Sequence, residues 1–311
     1  MSAKTRKLLD WLLLLACNLI WASQFVMVKL VQEQMGPLFA VTFPIALSTL
    51  LLVVLVQRDP KSRVTRKDVW TFIWLGIAGQ LVAQLFITWG VRFAPASNAA
   101  LLALVMPVST ALMAHFFLGE HMSRIRWISF ALALLGVAVC SGVDWSDVSF
   151  GRRYIAGNAL IFFSVLGSAF YNAYSKVALE RHSPLRVLLY SYYALLTILV
   201  PVTIVAEPEG IANLLHYSAT VWLGLGILAV FQYFLSMVIF LNVLTRLDAT
   251  QAALSNYLIP FFGVLIAFMV LHERLTIYMI LGGVLALAST LLITVWDDAP
   301  APEPALAGEI S

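Results

Sequence analysis

The sequence predicts an all-α polytopic membrane protein, with ten transmembrane helices arranged as two inverted five-helix repeats. Three observations predict it. Of 311 residues, 61% are hydrophobic and 11% charged, with a mean hydropathy of +0.92. An average soluble domain is about a quarter charged, so a water-soluble fold could not hide this much apolar surface. The apolar runs also recur near the roughly 20 residues needed to cross a bilayer core, with charges confined to short gaps. Finally, one stretch occurs twice. At an offset of 153, Ala96, Ala99, Ala100, Leu101, Pro107, Ala114, Leu118 and Glu120 recur as Ala249, Ala252, Ala253, Leu254, Pro260, Ala267, Leu271 and Glu273. Ser97, Asn98 and Ser123 keep their character as Thr250, Gln251 and Thr276. A duplicated apolar helix pair is the mark of a membrane protein built from an internal repeat.

Taken in order, the spans fall near 9–31, 37–57, 69–91, 95–117, 124–143, 154–177, 185–206, 219–244, 249–271 and 275–296, separated by breakers such as Gly36-Pro37, Ala94-Pro95 and Ser183-Pro184. Lys4, Arg6 and Lys7 before an apolar run, with Leu14-Leu15-Ala16-Cys17, resemble a cleavable leader. The run continues past Cys17 to Val31, so it reads as an uncleaved first helix. The first repeat takes residues 1–148 and the second 149–296. Residues 297–311, Pro/Ala-rich and acidic, read as a disordered cytoplasmic tail. Cys17 and Cys140 lie in apolar runs and read as small core residues, with neither a disulfide nor a metal site implied.

Lys and Arg orient the spans. With the N-terminus in the cytoplasm, 14 of the 19 fall on the inside, leaving Lys29, Arg92, Arg152, Arg153 and Arg274 outside. Five spans per repeat is odd, so the second repeat enters the membrane from the opposite face. An inverted duplication lets a central site open to either side by exchanging the conformations of its halves, which points to transport.

The motifs resemble the drug/metabolite transporter superfamily in its EamA-type ten-helix branch. They are Trp21-Ala22-Ser23-Gln24-Phe25 with Lys29, Pro107 followed by Leu118-Gly119-Glu120, and Pro260 followed by Leu271-His272-Glu273. Gly136 and Gly282-Gly283 also fit. Two departures stand out: Ala22 where the family often has Gly, and His272 where the first copy has Gly119. The resemblance is greatest to the YddG type, bacterial inner-membrane exporters of aromatic amino acids that also pass dications such as paraquat. It implies a cavity lined by spans 1, 3, 4, 6, 8 and 9, with spans 5 and 10 packed behind, in a monomer without cofactors.

Polar residues inside spans are the site candidates, because they are costly unless paired or facing water. Gln80 and Gln84 share a helix face in span 3, and Gln232 and Tyr233 stand at the equivalent place in span 8. Span 1 offers Asn18, Trp21, Gln24 and Phe25, and span 6 offers Ser168, Tyr171 and Asn172. Spans 4 and 9 add Asn98, Gln251, Asn256 and Tyr257. Amides can bind an amino acid's ammonium and carboxylate without a fixed charge, and rings can stack on an aromatic ring or cation. The same residues could instead be helix–helix glue. Pro107 and Pro260 are hinge candidates, since each removes a backbone hydrogen bond. Glu120 and Glu273, at span ends, are expected to order the turn into the next helix.

No Asp or Glu lies deep in any predicted span. The expectation is therefore export of small metabolites, aromatic or other neutral amino acids or aromatic cations, by alternating access without proton coupling. The alternative is a proton-coupled antiporter of multiple cationic drugs. An enzyme is disfavoured because no Walker A, GxSxG or HExxH motif is present. The expected partners are the solute and the lipid bilayer, not nucleic acid.

Overall fold

The computed structural model describes residues 3–57, 64–119, 122–140, 148–246 and 255–296. Ten long helices account for most of them: α1 (Ala3–Val31), α2 (Pro37–Val56), α3 (Arg66–Phe93), α4 (Ala96–Leu118), α5 (Arg124–Cys140), α6 (Val148–Leu179), α7 (Pro184–Ala206), α8 (Ala219–Leu244), α9 (Leu258–Leu271) and α10 (Ile277–Trp296). No strand occurs among the described residues. Seven helices, α1 to α4 and α6 to α8, are long and apolar enough to cross a membrane, and α9 and most of α10 are shorter apolar helices. The chain is a polytopic membrane protein by that measure.

Local chemistry sets the helix ends. Thr65 and Asp68 form a capping box at α3, and Ser183 and Ser218 cap α7 and α8. Ser123 and Thr276, paired in the repeated stretch, make the same cap: Ser123 Oγ accepts from Arg126 N and Thr276 Oγ1 from Met279 N, each at 3.2 Å. Gly119 ends α4 in the left-handed conformation at φ 73°, and His272 adopts φ 54° just after α9. Position 272 lies 153 residues beyond 119, so the two turns keep one shape although the second has no glycine. A non-glycine residue there costs about 1–2 kcal/mol.

The helices are not uniform. Helix α3 contains a π segment, Leu75–Leu81, and α8 contains another, Ile227–Ser236. Moved by 153, the first falls inside the second. Helix α4 is broken by a 3₁₀ turn, Ala103–Val105, just before Pro107, and α9 follows a 3₁₀ turn, Ser255–Tyr257, before Pro260. Pro107 has no N–H to give Ala103 O, and Met106 N supplies the bond one residue early.

Packing is inside-out relative to a soluble protein. Asn18, Gln80, Asn98 and Ser236 are buried, whereas Leu50, Val205 and Phe261 are more than 60% exposed. Exposed apolar side chains around a polar interior are what lipid as solvent requires. Helices α5 and α10 pack closely through Gly136, Cys140, Gly282 and Ala286. Helices α3 and α6 approach equally closely, with Gly79, Gly90, Gly157 and Gly167 at the contact.

Candidate functional site

A central cavity encloses about 730 Å³ of space free of atoms, its open mouth included. It is lined from α1 by Trp21, Gln24 and Phe25, from α3 by Gln80, Ala83, Gln84 and Ile87, and from α4 by Ala99, Ala103 and Met106. Helix α6 contributes Ile161, Ser164, Val165, Ser168, Tyr171 and Asn172, α8 Gln232 and Met237, and the α9 region Asn256 and Ile259. No residue in this lining carries a charge.

Gln24 is the hub of the polar part. Its Nε2 donates to Gln84 Oε1 at 2.7 Å and lies 3.3 Å from the Tyr233 hydroxyl, while its Oε1 accepts from Gln232 Nε2 at 2.7 Å. Gln84 Nε2 continues to Gln80 Oε1 at 3.4 Å. Trp21 Nε1 donates to Ser236 Oγ at 3.0 Å, and that hydroxyl donates to Gln232 O at 2.6 Å. The network therefore ties α1 to both π segments. A π segment has lost the regular i→i−4 ladder and turns its side chains out of α register, which is how Gln80, Gln232 and Tyr233 reach one another's neighbourhood. Tyr233 itself is fully buried, and its carbonyl accepts from the Tyr192 hydroxyl at 2.7 Å.

Not every polar atom is satisfied. Gln232 Oε1 and both amide atoms of Asn256 are buried without a hydrogen-bond partner. Such an atom costs about 1–3 kcal/mol, which a water or a ligand can relieve.

Ten of the sequence-predicted residues thus line the cavity: Trp21, Gln24, Phe25, Gln80, Gln84, Ser168, Tyr171, Asn172, Gln232 and Asn256. Tyr233 lies behind it, bonded to Gln24. Asn18 and Asn98 lie elsewhere: Asn18 Nδ2 donates to Ser255 O at 2.9 Å, and Asn98 donates to Asn158, so both join helices. Gln251, Glu120 and the Tyr257 side chain lie outside the described residues. The apolar wall from Ala83 to Ile259 had no signal in the sequence, because its residues are the same types that face lipid.

Glu273 was expected to order the turn into α10; its carboxylate instead acts across the bundle, on α1 and α4. Its carboxylate accepts from Ala96 N (3.0 Å), Ser97 N (2.9 Å) and Ser97 Oγ (2.7 Å), capping the N-terminus of α4, and pairs with Lys29 Nζ at 2.8 Å. Burial pushes this carboxyl up, but Lys29 and the Ser97 donors outweigh it and hold it below its ordinary value. Asp10 and Arg246, at the far end of α1, form a second pair at 3.1 and 3.2 Å through Arg246 Nε. Among the described residues no cluster of His, Cys, Asp and Glu could hold a metal ion.

The model of the EamA-like transporter family matches residues 9–142 and 155–295. A probable terminal-alkyne amino-acid exporter of Streptantibioticus cattleyicolor is 26% identical over 286 residues, covering 91% of this chain and 92% of that one. An uncharacterized transporter of Archaeoglobus fulgidus is 26% identical over 305 residues, covering 94% and 98%. The Bacillus subtilis transporter YoaV is 20% identical over 274 residues, covering 88% and 92%. One solved crystal structure shares the fold at a TM-score of 0.63 and 15% identity, covering 92% of this chain and 98% of the other.

Proposed function

The chain belongs to the EamA-like transporter family, and from that premise we propose that it exports small neutral metabolites, amino acids foremost, by alternating access without proton coupling. The observation that carries this reading is the cavity: amides and aromatic rings line it, and no charged side chain does. A zwitterion fits such a lining, because its opposite charges can each be met by an amide dipole. A sugar phosphate would need basic groups, and a proton-driven antiporter would need a carboxylate or His relay inside the spans.

The proposed architecture is ten membrane spans in two inverted repeats, residues 1–148 and 149–296. It is supported by a family model that matches twice, by π segments at equivalent places, and by the paired left-handed turns at Gly119 and His272. The Lys and Arg distribution favours cytoplasmic termini, in the inner membrane of a bacterium. The chain works as a monomer in this reading. Trp21, Phe25 and Tyr171 in the cavity favour an aromatic side chain, as in the YddG-type exporters.

Counterflow in proteoliposomes without an ion gradient tests the proposal. Labelled phenylalanine should exchange against an internal unlabelled pool, while a sugar phosphate should not. Exchange of a dication but not phenylalanine would move the substrate to cationic drugs. Flux of phenylalanine that requires a proton gradient would contradict the coupling.

A further inference from the structure

We infer that Gln232 and Asn256 form the subsite for the polar head of the transported solute, while Gln24, Gln84 and Gln80 position that subsite. The inference rests on the amino-acid carrier reading and adds which of the cavity's polar residues meet the solute.

The argument is one of hydrogen-bond accounting. The amide chain runs in one direction, Gln232 to Gln24 to Gln84 to Gln80, each N–H donating to the next carbonyl. Within it both ends of the Gln24 amide are used, and Gln84 is bonded on either side. The chain begins at Gln232, whose Oε1 has no partner although the residue is only 3% exposed. Asn256 stands in the 3₁₀ turn before α9, is 1% exposed, and uses neither amide atom. Several other buried polar atoms lack partners, including those of Asn18, Asn98, Ser48, Ser109 and Ser129, and all lie off the cavity lining. Among the described residues, Gln232 and Asn256 alone on the lining carry fully buried polar atoms without a partner.

Their chemistry defines the head group. Gln232 Oε1 and Asn256 Oδ1 accept, and Asn256 Nδ2 donates. A ligand must bring N–H donors and an oxygen acceptor on one small head, as the ammonium and carboxylate of an α-amino acid do. Phe25, Met237 and Ile259 supply apolar surface for the remainder of such a ligand.

The test uses three probes with purified full-length protein: L-phenylalanine, 2-phenylethylamine with the ammonium alone, and 3-phenylpropionate with the carboxylate alone. Binding is read from intrinsic tryptophan fluorescence. Wild type should prefer phenylalanine over either fragment by about tenfold or more, the factor equivalent to one charge-assisted hydrogen bond. Gln232→Ala should weaken phenylalanine and phenylethylamine by about tenfold and leave phenylpropionate unchanged. Asn256→Ala should weaken all three. Gln232→Met and Asn256→Leu, which keep side-chain volume, serve if the alanine variants do not fold. Wild-type ratios that survive substitution at both positions would overturn the subsite alone, as would a Gln232→Ala defect confined to the acid. Wild type that binds none of the three would overturn the amino-acid reading and the head-group assignment together.

Discussion

Helix α3 carries Gln80 in its π segment and Gln84 one turn later, and both are bonded to other glutamines. Helix α8 carries Gln232 and Tyr233 in a π segment at the equivalent place, and there one carbonyl oxygen is left over. The backbones repeat and the hydrogen-bond economy does not. A duplication supplies matching distortions on both sides of a cavity, and divergence then separates their tasks. In this account α3 anchors the amide chain and α8 presents its free end.

The strongest way to break the comparison is to remove one distortion. Deleting Ile77 should return the α3 π segment to α geometry and rotate Gln80 and Gln84 by about 100° relative to the preceding turn. Exchange of phenylalanine should vanish, with the protein still inserted and folded, and the matching deletion of Val230 in α8 should do the same. Next in size is Gln24→Ala, which strands Gln84 Oε1 and Gln232 Nε2 together. At about 1–3 kcal/mol per orphaned group, thermal unfolding in detergent should shift by the equivalent of about 2–6 kcal/mol. Gln24→Glu should recover little, because it lacks the N–H that reaches Gln84.

A smaller effect sharpens the contrast at the helix ends. Glu273→Ala frees two backbone N–H groups and a hydroxyl at the start of α4 and leaves Lys29 unpaired, so a loss of about 2–3 kcal/mol is expected. The sign with pH follows from the lowered Glu273 carboxyl. Its contribution is complete above the ordinary glutamate value of about 4.3 and is lost only as pH falls through the lower folded value. Stability and exchange should therefore be flat, as far as this group acts, from pH 5.5 to 8. The smallest change is His272→Gly. Relief of about 1–2 kcal/mol of left-handed strain is offset by about 0.4–1 kcal/mol of extra chain entropy, so stability should rise by between about 0 and about 1.6 kcal/mol.

The helices were legible because lipid demands long apolar runs, and the repeat was legible because Pro107, Leu118 and Glu120 return as Pro260, Leu271 and Glu273. The polar lining was largely legible too, since an amide inside such a run has few places to go. The π segments were not, because a change of one residue per turn leaves composition and hydropathy unaltered. Glu273 capping α4 joins residues 176 apart, and Asp10 with Arg246 joins residues 236 apart. No local pattern announces such partners. Asn18 and Asn98 show the limit from the other side: as amides inside apolar runs they look like cavity residues in sequence, and packing turns them toward Ser255 and Asn158.

Alternating access is the claim on which the rest depends, and thiol labelling tests it most directly. In a background with Cys17 and Cys140 replaced, both of which are buried, Ser168→Cys places one thiol on the cavity wall. A membrane-impermeant maleimide is then applied to right-side-out and inverted vesicles. Labelling from both faces, slowed on both by phenylalanine, is the predicted result. Labelling from one face only, whatever the ligand, would contradict it.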